Sequence, residues 1–136
     1  MTTQTDYAGL VALAREARER AYCPYSGFAV GAAALTASGR VFLGCNIENA
    51  AYPAAICAER TALVRSIAEG RDPSQVDLVA IHVDSPEGQP CGMCRQFLVE
   101  LVPTARIAFV SGGEYVEVPA ATDLLPAAFV PGALDA

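Results

Sequence analysis

The chain has 136 residues and a mass of 14.2 kDa, with 53% hydrophobic residues, a mean hydropathy of +0.32 and a formal net charge of −6. That length suits one domain over residues 1–136 with a true core, and the acidic balance argues against nucleic acid, whose phosphates demand basic surface. No apolar run approaches the ~20 residues of a membrane span, and Met1-Thr2-Thr3-Gln4 carries neither a basic nor an apolar leader region, so a soluble, cytoplasmic protein is expected.

The elements follow in alternation. Tyr7, Leu10, Val11, Ala14 and Ala17 recur at helical spacing, with Thr5 or Asp6 as N-cap. This helix is expected to end near Tyr22, because Cys23 precedes Pro24. Phe28 to Thr36 and Val41 to Cys45 read as strands joined by a Ser38-Gly39 hairpin turn. Asn46 to Ala54 reads as loop. Cys57 to Glu69 reads as a helix stopped by Gly70 and Pro73. Leu78 to Val83 is an apolar, β-branched strand, and a further helix spans Gly92 to Leu101. Ile107 to Val110 and Tyr115 to Val118 are strands with only Ser111-Gly112-Gly113-Glu114 between them. Four residues cannot hold a crossover helix, so this last pair should be antiparallel. A short C-terminal helix is expected after it. The order α-β-β-α-β-α-β-β predicts an α/β fold: a three-layer α-β-α sandwich around a mixed five-stranded sheet.

The chemistry lies in two segments. Cys57 is followed two residues later by Glu59, and Pro90-Cys91-Gly92-Met93-Cys94 supplies two more thiols. A structural zinc is closed by four protein ligands, whereas a catalytic zinc takes three and keeps a position for water. Cys57, Cys91 and Cys94 make three, and Glu59 is left to handle protons. The expected cofactor is one Zn²⁺ per chain. Cys57 opens one predicted helix while Cys91 and Cys94 open another, so two helix N-termini would offer positive charge to the thiolates. Three thiolates leave the metal formally negative, and Arg60, one turn beyond Cys57, is placed to withdraw charge from sulfur. Arg95 and Gln96 directly follow Cys94, and Gln96 is a further candidate for support around the metal. The chain has five cysteines and one histidine. Cys23 and Cys45 read as packing thiols. His82, between Ile81 and Val83, reads as structural.

The combined pattern of Cys57-Ala58-Glu59 and Pro90-Cys91-Gly92-Met93-Cys94 resembles that of the zinc nucleobase deaminases. More specifically, the chain resembles the cytidine deaminases of the small, homotetrameric, three-cysteine zinc class. Cys23-Pro24-Tyr25-Ser26-Gly27-Phe28-Ala29-Val30-Gly31-Ala32 is similar to that family's first strand, and Gly44-Cys45-Asn46-Ile47-Glu48-Asn49-Ala50 to its ribose-binding segment. Tyr52-Pro53 and Ile56-Cys57-Ala58-Glu59-Arg60-Thr61-Ala62 continue the likeness. Pro90-Cys91-Gly92-Met93-Cys94-Arg95-Gln96 and Leu124-Leu125-Pro126-Ala127-Ala128-Phe129 complete it. Gly27 and Ala29 depart from relatives, which often carry a larger residue and Pro there.

The resemblance implies hydrolytic deamination of cytidine and 2′-deoxycytidine in pyrimidine salvage, with Glu59 as proton shuttle. It implies that Asn46 and Glu48 hold the ribose, that Phe28 packs beside sugar and base, and that the backbone around Ala58 contacts the cytosine ring. Phe129 would reach a neighbouring subunit's pocket in a homotetramer. The partners expected are therefore a small nucleoside and other copies of the chain, with no nucleic acid and no membrane. Three other readings stay open: a related deaminase acting on a different cytosine compound such as blasticidin S, a non-enzymatic zinc-binding interaction domain, and a thioredoxin-like redox role for Cys91 and Cys94.

Overall fold

A computed structural model describes residues 3–72 and 75–135, the side chains of 3–6 aside. The helices are α1 (Thr3–Arg18), α2 (Ala58–Ala68) and α3 (Gly92–Leu101). The strands are β1 (Val30–Thr36), β2 (Val41–Cys45), β3 (Val76–Val83), β4 (Arg106–Ser111) and β5 (Glu114–Val118). They form one sheet in the order β2-β1-β3-β4-β5. Only β3 and β4 run parallel, with α3 as their crossover; the other neighbours, β4 and β5 included, are antiparallel. The mixed five-stranded sheet of the sequence reading is therefore present. Among the described residues no helix is long and apolar enough to cross a membrane.

Alternation along the central strands builds two cores. Ala33 and Leu35 of β1 join Leu78 and Ala80 of β3 under Leu10, Val11 and Ala14 of α1. Ala32, Ala34, Val79 and Ile81 face the other way, onto Ala62 and Leu63 of α2 and Leu98 of α3. Period-two side-chain alternation makes this two-sided burial possible, and it explains why β1 and β3 read as continuous apolar runs.

Several boundaries differ from the sequence expectation. The helix α1 already includes Thr3, so Thr5 and Asp6 lie inside it and neither is its cap. It stops at Arg18, one turn before Tyr22. The reason is tertiary: the Tyr22 N–H donates to the Asn46 carbonyl at 3.0 Å and the Tyr22 carbonyl accepts from the Glu48 N–H at 2.7 Å. A backbone paired with that segment cannot also continue a helix. The strand β1 begins at Val30, two residues later than expected, because Phe28 belongs to the loop that Asn46 clamps. Gly70 ends α2 as expected, at φ 84 with its N–H on the Ile67 carbonyl; Pro73 lies outside the described residues. Gly112 and Gly113, at φ 63 and 82, make the tight β4–β5 turn. The expected C-terminal helix is two short 3₁₀ turns, Ala121–Leu124 and Pro131–Asp135.

Two glycines set how closely helices approach the sheet. A Cβ on Gly31 would lie 1.9 Å from the Ala14 carbonyl oxygen of α1, and one on Gly44 would lie 2.4 Å from both the Ala58 oxygen and the Ala62 nitrogen of α2. Backbone cannot yield as a flexible side chain can. Gly44→Ala should therefore lift the first turn of α2, which carries Glu59, at a cost of about 3 kcal/mol or more, the upper part of the overpacking range. Gly9, in the exposed interior of α1, has nothing within 4 Å of such a Cβ. Gly9→Ala should instead stabilise by about 0.5–1 kcal/mol. Urea midpoints of the two variants check the contrast, and equal effects would contradict it.

Candidate active site

Three thiols converge where two helices begin. Cys57 is the N-cap of α2 and Cys91 the N-cap of α3, while Cys94 lies in the first turn of α3 with its N–H donating to Cys91 Sγ at 3.4 Å. Both N-cap residues have extended backbone, which turns their side chains out past the helix end. Unpaired N–H groups there favour negative charge on sulfur. Tetrahedral zinc at a Zn–S distance of ~2.3 Å requires sulfurs about 3.8 Å apart. Cys57 Sγ and Cys91 Sγ are 3.7 Å apart, and the three sulfurs all lie within 4.8 Å of one another. The donor set and its spacing fit a zinc ion with three protein ligands.

The surroundings divide charge unequally among the thiols. The Cys57 thiol is held down to about 5, first by the hydrogen bond from the Cys94 thiol and then by Arg60 and Cys91. Donating that hydrogen bond, together with burial, pushes Cys94 up. The Arg60 Nη2 donates to Cys57 Sγ at 3.6 Å. Thiolate is the form that binds metal, and Cys57 is the sulfur whose surroundings favour it.

Glu59, at the second position of α2, is only 3% exposed and forms no salt bridge among the described residues. Burial raises its carboxyl to about 7, against partial relief from its own backbone N–H. A carboxyl group near 7 can both take and return a proton at neutral pH. Position i+2 does not share a helix face with position i. The helix end resolves this, because Cys57 points beyond it while Glu59 turns into the adjoining cavity. That cavity, about 200 Å³, is lined by Cys57, Ala58, Glu59 and Cys91 together with Phe28 and Asn46.

The segment after β2 is heavily bonded. Asn46 Oδ1 accepts from the Val30 N–H and Nδ2 donates to the Phe28 carbonyl, each at 2.8 Å. Glu48 Oε1 accepts from the N–H groups of Tyr25 at 2.9 Å and Ser26 at 3.2 Å, and Oε2 accepts from the Ser26 hydroxyl. The Ser26 bond is the first cause of the lowered Glu48 pKa. An amide makes up to four hydrogen bonds and a carboxylate accepts about four. Asn46 thus keeps one donor and one acceptor position, and Glu48 keeps one acceptor position. Glu48 itself faces the neighbouring hollow beside Tyr25 and Tyr52, not the sulfur cavity.

The remaining candidates lie further out. Gln96 Nε2 donates to the Phe129 carbonyl at 2.9 Å, which ties its side chain to the C-terminal segment. Phe129 is 61% exposed and is not among the residues lining the sulfur cavity. Arg95 has the larger local role: Nε donates to the Pro90 carbonyl at 2.8 Å and Nη1 to the Leu124 carbonyl at 3.1 Å, tying the metal segment to the C-terminus. The sequence reading also missed Val30, Ile81, Val83, Gly88 and Gln89 as cavity wall. The two-residue spacing of Ile81 and Val83 marks a shared strand face, but periodicity does not say which face meets the site. His82 is buried, as a structural histidine would be.

The family profile described as cytidine and deoxycytidylate deaminase zinc-binding region matches residues 4–111. A cytidine deaminase of Halalkalibacterium halodurans is 45% identical over 125 residues, covering 88% of this chain and 91% of the relative. One of Sporosarcina psychrophila is 40% identical over 126 residues, covering 91% of each. The crystal structure of a cytidine deaminase from Burkholderia pseudomallei superposes with a TM-score of 0.85 at 43% identity, over 95% of this chain and 100% of that one.

Proposed function

The chain belongs to the cytidine and deoxycytidylate deaminase zinc-binding family, and on that premise we infer that it is a zinc-dependent hydrolase converting cytidine and 2′-deoxycytidine to uridine and 2′-deoxyuridine with release of ammonia. The observation that carries this reading is a buried Glu59, without a salt bridge among the described residues, in the same cavity as two of three zinc-spaced thiols. A structural zinc domain has no use for such an acid, and a disulfide redox pair has no use for Cys57. Loss of cytidine absorbance on mixing with the zinc-loaded protein, with ammonia appearing in equal amount, tests it. No turnover of either nucleoside would defeat it.

Zinc, held by Cys57, Cys91 and Cys94, supplies the Lewis acidity that makes water a nucleophile near neutral pH. Glu59 accepts the water proton as the oxygen adds to C4 of the ring, and passes a proton to N3. It then takes the remaining proton from the added oxygen and delivers it to the amine at C4. The C4–N bond breaks with its electron pair on nitrogen, ammonia leaves, and the added oxygen becomes the C4 carbonyl. Ala58, fully buried at the cavity wall, offers backbone to the ring edge. Arg60 draws charge from Cys57.

We assign Asn46 and Glu48 to the sugar, through the hydrogen-bonding positions that their loop contacts leave over, with Phe28 beside it. Remote sugar contacts help orient the base. Asn46→Ala and Glu48→Ala should each raise KM and lower kcat, by a combined ~10²-fold in kcat/KM, and free cytosine should be a very poor substrate. Cytosine turned over as efficiently as cytidine would remove both residues from the site.

The whole chain, residues 1–136, acts in this reading as one domain in a cytoplasmic homotetramer that serves pyrimidine salvage. Two features support shared pockets. The single-chain cavity of about 200 Å³ is smaller than the ~300–1,000 Å³ of ordinary ligand sites. Phe129, a ring able to stack on a base for ~1–3 kcal/mol, is exposed while its carbonyl is held by Gln96. Mixing Glu59→Gln chains with Phe129→Ala chains under subunit exchange should raise activity per intact Glu59. No rise despite proven exchange would defeat the assignment in trans.

A further inference from the structure

The segment 84–90, which delivers Cys91 to the metal site, contains no helix or strand. Its shape must therefore come from the contacts that pin it. Its middle is pinned by the β4–β5 hairpin: the Gly88 N–H donates to the Val110 carbonyl at 2.8 Å and the Gly113 N–H to the Pro86 carbonyl at 2.9 Å. Its end is pinned by Arg95 on the Pro90 carbonyl. Its start is pinned by a cluster on the opposite face of the sheet, which the reaction described above does not use.

That cluster centres on His82. Its strand neighbours Ile81 and Val83 both line the catalytic cavity, so the His82 ring points the other way, toward α1. There Nε2 bonds Asp84 Oδ1 at 2.7 Å, Nδ1 bonds the Tyr115 hydroxyl of β5, and the two rings stack with centroids 6.1 Å apart. Asp84 Oδ2 takes the Arg18 guanidinium at 3.0 Å from the end of α1. A carboxylate only accepts, so Nε2 carries a proton toward Asp84, while Nδ1 pairs with the Tyr115 hydroxyl. The buried ring thus has both nitrogens committed, and it fixes the first residue of the segment to two other elements.

We propose that His82 is a positioning residue for the deamination reaction, holding the Asp84 end of the segment that presents Gly88, Gln89 and Cys91 to the active site. This rests on the deaminase reading. A displacement of about 1 Å in a reacting constellation can cost up to ~10²-fold in rate, so the effect should appear in kcat, whereas the sugar contacts and KM are carried by a different segment.

The test uses zinc-loaded enzyme and two readouts, cytidine kinetics and amide hydrogen exchange over residues 84–91. His82→Leu should lower kcat about 10-fold with KM within about 2-fold, and raise exchange in 84–91 about 10-fold through local opening. His82→Gln, which keeps a nitrogen toward Asp84, should restore most of both. Leu10→Ala, a core truncation two turns earlier in α1, should lose stability without either effect. Wild-type kcat and exchange in a folded His82→Leu enzyme would overturn the proposal, as would the same two changes in Leu10→Ala. If His82→Leu does not fold, Asp84→Asn at a solvent-facing side chain decides by the same readouts. A wild-type enzyme inactive on cytidine would sink the functional reading, while the exchange measurement would still uphold or overturn the pin.

Discussion

Glu59→Gln should reduce cytidine turnover by about 10³-fold or more while zinc content and fold are retained. General acid–base catalysis contributes ~10²–10⁴-fold for one positioned group, and in the proposed mechanism one carboxyl handles the water proton, N3 and the leaving amine in turn. The amide is nearly isosteric, so the packing around this buried position is kept; what it loses is the capacity to accept a proton. The carboxyl, raised to about 7 by burial, suits all three transfers, because neither protonation state is held too tightly. Steady-state kinetics alongside metal analysis check this. If the variant loses its zinc, Glu59 is a ligand or a structural group, and its role as proton shuttle is wrong.

Removing the metal should cost as much. Elemental analysis should find one zinc per chain, and chelation should lower turnover at least ~10³-fold, since the Lewis acidity it supplies is worth several kcal/mol. Returning zinc should restore activity. Cys94→Ala should fail to retain the ion, because Cys94 is the fully buried member of the three-sulfur set and only two thiols would remain. A fully active, metal-free protein would overturn the entire mechanism. Cys94→Ala also separates function from folding: its urea transition reports whether the hydrophobic core around Leu98 and Val102 persists without the ion.

Most of what could be read early concerned local order and ligand type. Gly92 to Leu101 and Val41 to Cys45 have the bounds expected from pattern alone, because a periodic apolar face and a short apolar run bounded by a turn are local signals. The errors cluster where distant backbone intervenes. Arg18 ends α1 because Tyr22 pairs with residues 46–48, and no property of residues 18–22 announces that partner. Gln96, two positions after Cys94, donates to the Phe129 carbonyl, a partner that its neighbours in sequence do not announce. Arg95 and Gln89 carry contacts that only the fold reveals.

Sequence by itself determined the chemistry on offer: three thiols, a carboxylate two residues after the first, and a guanidinium one turn on, each spacing set by covalent geometry and helical pitch. It also determined the alternation of elements, since hydrophobic period distinguishes strand from helix. Tertiary structure alone decided that the starts of α2 and α3 meet. Their cap sulfurs are 34 residues apart in the chain and 3.7 Å apart in space, a convergence produced by the β3–α3–β4 crossover and by the bare backbone of Gly44 under α2. It alone decided which side of β3 looks into the cavity and which side holds His82. It also decided that Glu59 is buried deeply enough to be raised to about 7. Desolvation and packing depend on everything that surrounds a residue, and most of those surroundings are remote in sequence.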